Sequence, residues 1–273
     1  MRLSLSTTAA ADVVAGILFA EHAWPGGLRP WLLVAGSLCV YHGGMALNDW
    51  ADRAHDGATR PERPIPSGRV KAAQALQVAL LLLVAGPLLA ARAATHAGLM
   101  LGAVALLAAL YDLVGRGAWL GPALLGLCRA GNLTAGMLWC GACAKEGVWL
   151  AAGYGGYVFL VSRLGRMEDG DEQRIGQRPR ALLLGAGACQ LVPFAFGLAA
   201  TAPAAALRIG WIALRTRTWT RPVIMGSMGS ALRLLLFYSA SVAWVGAGPL
   251  CALAILVLGY PLAWFLRQVF PPS

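Results

Sequence analysis

The chain has 273 residues, 58% of them hydrophobic and only 12% charged, with a mean hydropathy of +0.65. A soluble domain is roughly a quarter charged, so 22 basic and 12 acidic side chains cannot cover a water-soluble globule this apolar. A soluble enzyme, a disordered regulator and a disulfide-stapled secreted domain are thereby excluded, and an integral membrane protein remains. Long runs of Ala, Leu, Val and Gly stand where a transmembrane barrel would need alternating segments of about ten residues. The predicted class is therefore all-α, a polytopic membrane helical bundle in a single domain covering 1–273. The net charge of +10 reads as cations gathered on cytoplasmic loops. No stacking platform for bases is apparent, so no nucleic acid is expected as a partner.

In chain order, an opening helix lies near residues 4–20, interrupted by Asp12. Uncharged runs follow at 30–48, 72–91 and 93–111, then a span at about 119–141 containing Arg129, and another run at 147–162. The run 181–207 exceeds the roughly 20 residues that one crossing needs, and Pro203 sits near its end. A helix starts near Pro222, and the run 234–266 must turn, at 246–249. Nine or ten spans result. Ten spans gather sixteen cations on one face and leave Arg29, Arg92 and Lys145 on the other. Nine would strand Arg215, Arg217 and Arg221 on the wrong side. The tenth is predicted as a short or tilted element carrying Arg208.

Most of the twelve acids fall into two groups near loops. In the first, Asn48, Asp49, Asp52 and Asp56 share about a quarter of a helix circumference at roughly 100° per residue. Three carboxylates so close repel one another unless a cation neutralises them. Oxygen-only donors that leave room for phosphate oxygens suit Mg²⁺. In the second, Glu168, Asp169 and Glu172 share one face if the helix continues through Gly170. Two such stripes on one membrane face make a two-metal clamp for a phosphorylated substrate. Arg60, Arg63, Arg69, Arg116, Arg163, Arg166 and Arg174 lie in the same loops, where guanidinium groups grip diphosphate oxygens.

The segment from Asn48 to Asp56, followed by Arg60-Pro61-Glu62-Arg63-Pro64-Ile65-Pro66-Ser67-Gly68, resembles the first aspartate-rich motif of the UbiA superfamily of intramembrane prenyltransferases. Residues 168–176 resemble its second motif, with Glu168 and Glu172 where the family has aspartate. Tyr111 with Arg116 is similar to the family's tyrosine and following cation. Gly121-Pro122 to Gly126, then Cys128-Arg129-Ala130-Gly131-Asn132, resembles the EboC-like branch. The resemblance implies helices around a central cavity capped by cytoplasmic loops, in a bacterial-type inner membrane. It also implies Mg²⁺-dependent transfer from an isoprenyl diphosphate to a lipophilic acceptor, with an aromatic one expected. A UbiA-type terpene cyclase and a non-catalytic lipid-binding or transport protein on the same scaffold are the alternatives.

An allylic cation would need an aromatic wall, for which Trp31, Trp139, Trp149, Tyr154 and Tyr157 are available. Arg129 and Asn132 share one face of their span; an intramembrane cation must face protein or a wet cavity, and Arg129 could pair with Asp112 or Asp12. Cys140 and Cys143 mimic a redox dithiol but lack its βαβ context, so they read as small packing residues.

Overall fold

With so few polar side chains, backbone groups inside a bilayer must be satisfied within each segment, and helices do this residue by residue. The computed structural model of the chain describes residues 5–115, 117–167 and 177–269. In order these form α1 (Ser6–Glu21), α2 (Arg29–Ala51), α3 (Arg53–Thr59), α4 (Ala72–Ala93), α5 (Thr95–Leu113) and α6 (Leu120–Met137). They continue as α7 (Lys145–Gly165), α8 (Arg178–Gln190), α9 (Thr201–Arg215), α10 (Arg221–Arg233), α11 (Leu235–Ala247) and α12 (Pro249–Val269). Among the described residues, five stretches are by themselves long and apolar enough to cross a membrane, α10 and α11 together making one of them.

The run 181–207 resolves into two helices, α8 and α9, separated by a short 3₁₀ turn at Val192–Ala195. They run antiparallel. Arg180 donates to Ala213 O (3.0 Å) and Thr216 O (2.9 Å), while Gly187 faces Ala206 and Ile209. Helix α9 therefore brings Arg215 back to the end of the bundle where Arg180 lies. Fifteen residues reach only about 22 Å at 1.5 Å each, the length of the short element that the charge pattern predicts.

Helix α1 is the shared core element. Its Ala11, Ala15 and Leu18 join a cluster built largely from α7 to α12, while Val13 and Ile17 join one built from α2, α4 and α5. Glycines allow the closest approaches. A Cβ on Gly36 of α2 would stand 2.6 Å from Gly86 O of α4, and one on Gly126 of α6 would stand 2.6 Å from Gly155 O of α7. Gly16 of α1 and Gly136 of α6 face each other's backbones still more tightly. Small residues at such crossings are how membrane helices pack without a hydrophobic drive between them.

The chain turns between α11 and α12 at Gly248, whose φ of 87° favours glycine. A second interruption, at Leu234, carries no Gly or Pro. There Leu234 N bonds Ala231 O at 2.9 Å, three residues back, and the helix tightens. Neighbours take the carbonyls at the break: Tyr157 Oη donates to Ala231 O (2.6 Å) and Gln190 Nε2 to Leu234 O (3.2 Å).

Candidate active site

Between the two packed halves lies a cavity of about 350 Å³. Most of its wall is apolar, with Leu5, Val40, Val104, Leu125, Val158 and Leu235 among the contributors. Polar groups occur at two levels. At one end, Asn48 of α2 donates Nδ2–H to Asp112 Oδ1 of α5 at 2.9 Å, and Tyr111 and Ser162 border the same cavity. At the other end stand Ser37, Arg129 and Asn132. From Ser37 to Asn48 is eleven residues along α2, or about 16 Å.

The deep end is organised by Asp12, which is fully buried. Its Oδ1 accepts from Tyr154 Oη (2.7 Å) and Ser239 Oγ (2.8 Å). Its Oδ2 accepts from Arg129 Nη1 (2.9 Å) and Asn132 Nδ2 (3.3 Å). Asn132 Nδ2 also reaches Ala9 O (2.9 Å), and its Oδ1 accepts from Ser37 Oγ (2.6 Å). Five helices meet in this network, and every carboxylate oxygen has two donors. Of the two acids available to Arg129, the partner is Asp12. The guanidinium also lies 5.8 Å from the centre of the Tyr41 ring.

The aspartate segment occupies the end of α2, and the chain runs through Asp52 into α3 almost without a break. Asp56 is paired from within the chain. Arg63 Nη1 binds its Oδ2 at 2.6 Å, and both side chains are nearly buried. Crowded carboxylates need a compensating cation, and Arg63 supplies one from within the chain. Arg63, expected among the diphosphate ligands, is thus engaged with Asp56. Among the described residues, no three His, Cys, Asp or Glu side chains gather into a group that could hold a metal. Glu168, Asp169, Asp171, Glu172 and Arg174 of the second acidic segment, and Arg116, lie outside the described residues.

The other arginines divide. Arg60 is exposed. Arg69 is tied into its own loop through Ser67 Oγ (3.0 Å) and Glu62 O. Arg163 donates to Ala118 O and lies 4.1 Å from the centre of the Trp119 ring. Tyr111 borders the cavity, but the expected aromatic wall is not the one found. Trp31 and Trp149 are exposed, Trp139 donates to Glu21 at 2.7 Å, and Tyr154 and Tyr157 are buried in hydrogen bonds to protein. Among the described residues, the cavity's aromatic rings are those of Tyr41 and Tyr111. Sequence reasoning also passed over Ser37, Ser239 and Asp112 as site residues. Asp112 carried a signal, being a lone acid at the end of an uncharged run.

The pattern of the UbiA prenyltransferase family matches residues 9–271. The digeranylgeranylglyceryl phosphate synthase of Ignicoccus hospitalis is 53% identical over 55 residues, 20% of this chain and 18% of that protein. The bacteriochlorophyll synthase 33 kDa chain of Cereibacter sphaeroides is 33% identical over 124 residues, 40% of this chain and 38% of its own length. The matched stretches thus span well under half of these relatives. The apo structure of a UbiA homolog from Aeropyrum pernix superposes with a TM-score of 0.65 at 19% identity, covering 95% of this chain and 99% of that one. A structure of digeranylgeranylglyceryl phosphate synthase gives 0.67 at 18% identity, covering 90% and 96%. At those identities the superpositions speak for the fold alone. With a family pattern that runs nearly end to end, the chain belongs to the UbiA prenyltransferase family.

Proposed function

We propose that this protein transfers an isoprenyl group from a prenyl diphosphate to a lipophilic acceptor, an aromatic one in this reading, within the membrane. The observation that carries the reading is the apolar cavity whose rim includes Asn48, the first residue of the aspartate segment. Relatives named as digeranylgeranylglyceryl phosphate synthase, bacteriochlorophyll synthase and 4-hydroxybenzoate octaprenyltransferase support it.

The donor chemistry fits Mg²⁺. Asp49 and Asp52, with the neutral Asn48, are oxygen donors on one helix end, and Asp56 adds a carboxylate whose charge Arg63 already shares. Glu168, Asp169 and Glu172 complete the set in this reading. When bound, the ion offsets the negative charge left on departing diphosphate. Arg60, Arg116, Arg163 and Arg174 hold diphosphate oxygens through paired N–H groups. The apolar wall keeps water from the allylic cation, and the faces of Tyr41 and Tyr111 stabilise positive charge without attacking it. The loops bearing these residues face the cytoplasm of a bacterial-type inner membrane.

Purified protein incubated with labelled geranyl, farnesyl and geranylgeranyl diphosphates, with and without Mg²⁺ and a lipid extract, tests the proposal. Transfer of label into lipid that chelation abolishes is expected. Release as a cyclic hydrocarbon without acceptor would replace transfer with cyclisation, and no release in any arm would leave a lipid-binding protein.

A further inference from the structure

The deep end of the cavity is costly to build, and the reaction proposed above gives it no task. We propose that Arg129, held in place by Asp12, is the specificity-determining group of an acceptor subsite that takes a neutral, oxygen-bearing head, a hydroxyl or carbonyl. The proposal rests on the transferase reading, but its test separates the two.

Three observations carry it. First, Arg129 is a cavity-lining residue whose side chain keeps 15% of its surface while its partner Asp12 keeps none. Asp12 engages Nη1, and the guanidinium otherwise borders the cavity. Second, a prenyl tail ending there would set methyl groups against N–H donors and leave those donors without partners, which is expensive. The deep end therefore suits the polar ligand and not the tail. Third, the charges fix the sign. Arg129 and Asp12 together are neutral, and the one other charged side chain lining the cavity among the described residues is Asp112, itself an acid. A carboxylate ligand would leave net negative charge in a low-dielectric site. A neutral oxygen leaves the pair intact, and Ser37 and Asn132 at the same end complete a polar socket.

Binding of 4-butylphenol, 4-butylbenzoate and butylbenzene to the full-length protein in lipid nanodiscs, read by ligand-observed NMR, tests the subsite without turnover. The wild type should prefer the phenol over both others. In Asp12→Asn combined with Arg129→Met, which removes both charges together, the ratio of phenol to butylbenzene affinity should fall about tenfold or more. Arg129→Lys keeps the charge pair and should lose most of the same preference; it decides the matter if the double variant does not insert. An unchanged ratio in a folded variant, or a wild type that binds the benzoate most tightly, overturns the proposal. Phenol binding that depends on Arg129 in a protein that releases no diphosphate would keep the subsite and sink the transferase reading. Diphosphate release with binding indifferent to Arg129 would do the reverse.

Discussion

Asp56 and Arg63 form a contact that changes what each aspartate of the first motif is expected to do. Their side chains are 4% and 10% exposed, so removing one leaves the other nearly buried and uncompensated, at a cost of about 3–5 kcal/mol. Arg63→Ala should lower the unfolding midpoint in detergent accordingly, with Arg63→Lys falling between; an unchanged midpoint would mean that the pair contributes nothing. Asp49→Ala and Asp52→Ala test the metal site directly. They should abolish Mg²⁺-dependent turnover, while Asn48→Ala, which removes no charge, should do less. Asp56→Ala should lose both stability and turnover. Full activity in the Asp52 variant would remove that residue from the site. The helical spacing of these four residues was legible in the sequence. The tie to Arg63 was not. It crosses a helix end and a proline-rich loop, where no period relates position to direction.

Helix crossings set the positions of the deep polar groups. Gly16 and Gly136 hold α1 against α6, and this approach carries Asp12 to Arg129 and Asn132. Gly136→Val should force the helices apart, costing about 1–3 kcal/mol as overpacked sites do. It should also weaken the response to Arg129 substitution, since the pair would be strained before the mutation is made. Equal stability and an undiminished Arg129 effect would show that the crossing can relax. The sequence foretold that Arg129 and Asn132 share a face. It left the partner open between Asp12 and Asp112, because periodicity says which way a side chain points and not which helix stands opposite. The aromatic wall failed for the same reason. Trp31 and Trp149 lie in apolar spans, yet hydropathy does not separate a residue facing outward from one facing a cavity.

Across the whole molecule, the charge pattern anticipated a helix at 201–215 that hydropathy left ambiguous. The antiparallel pairing of α8 with α9 sets Arg215 at the end of the bundle that holds Arg180, as the clustering of cations required. Thr218, exposed just beyond α9, should accordingly be reached from the cytoplasm when replaced by cysteine. An impermeant thiol reagent should label Thr218→Cys in inverted vesicles and spare it in intact cells; the opposite pattern would reverse the orientation of the bundle. The break at Leu234 stayed invisible because what distinguishes it are acceptors satisfied by Tyr157 and Gln190 from other helices. Removing one such neutral hydrogen bond with Tyr157→Phe should cost about 1 kcal/mol, measurable as a lower midpoint, and no shift would mean the break is held by packing alone.

The carboxylate at the centre of the bundle also imposes an order on biosynthesis. Asp12 lies in α1, whereas Arg129 follows 117 residues later and Ser239 follows 227 residues later. At about 5–20 residues per second, the acid waits on the order of ten seconds for its counter-ion and longer for its last hydrogen-bond donor. Nascent α1 must spend that interval where Asp12 can reach water or a lipid headgroup. It can seat at full depth only when α6 and α11 arrive, so α1 is made before the helices that complete it and settles after them.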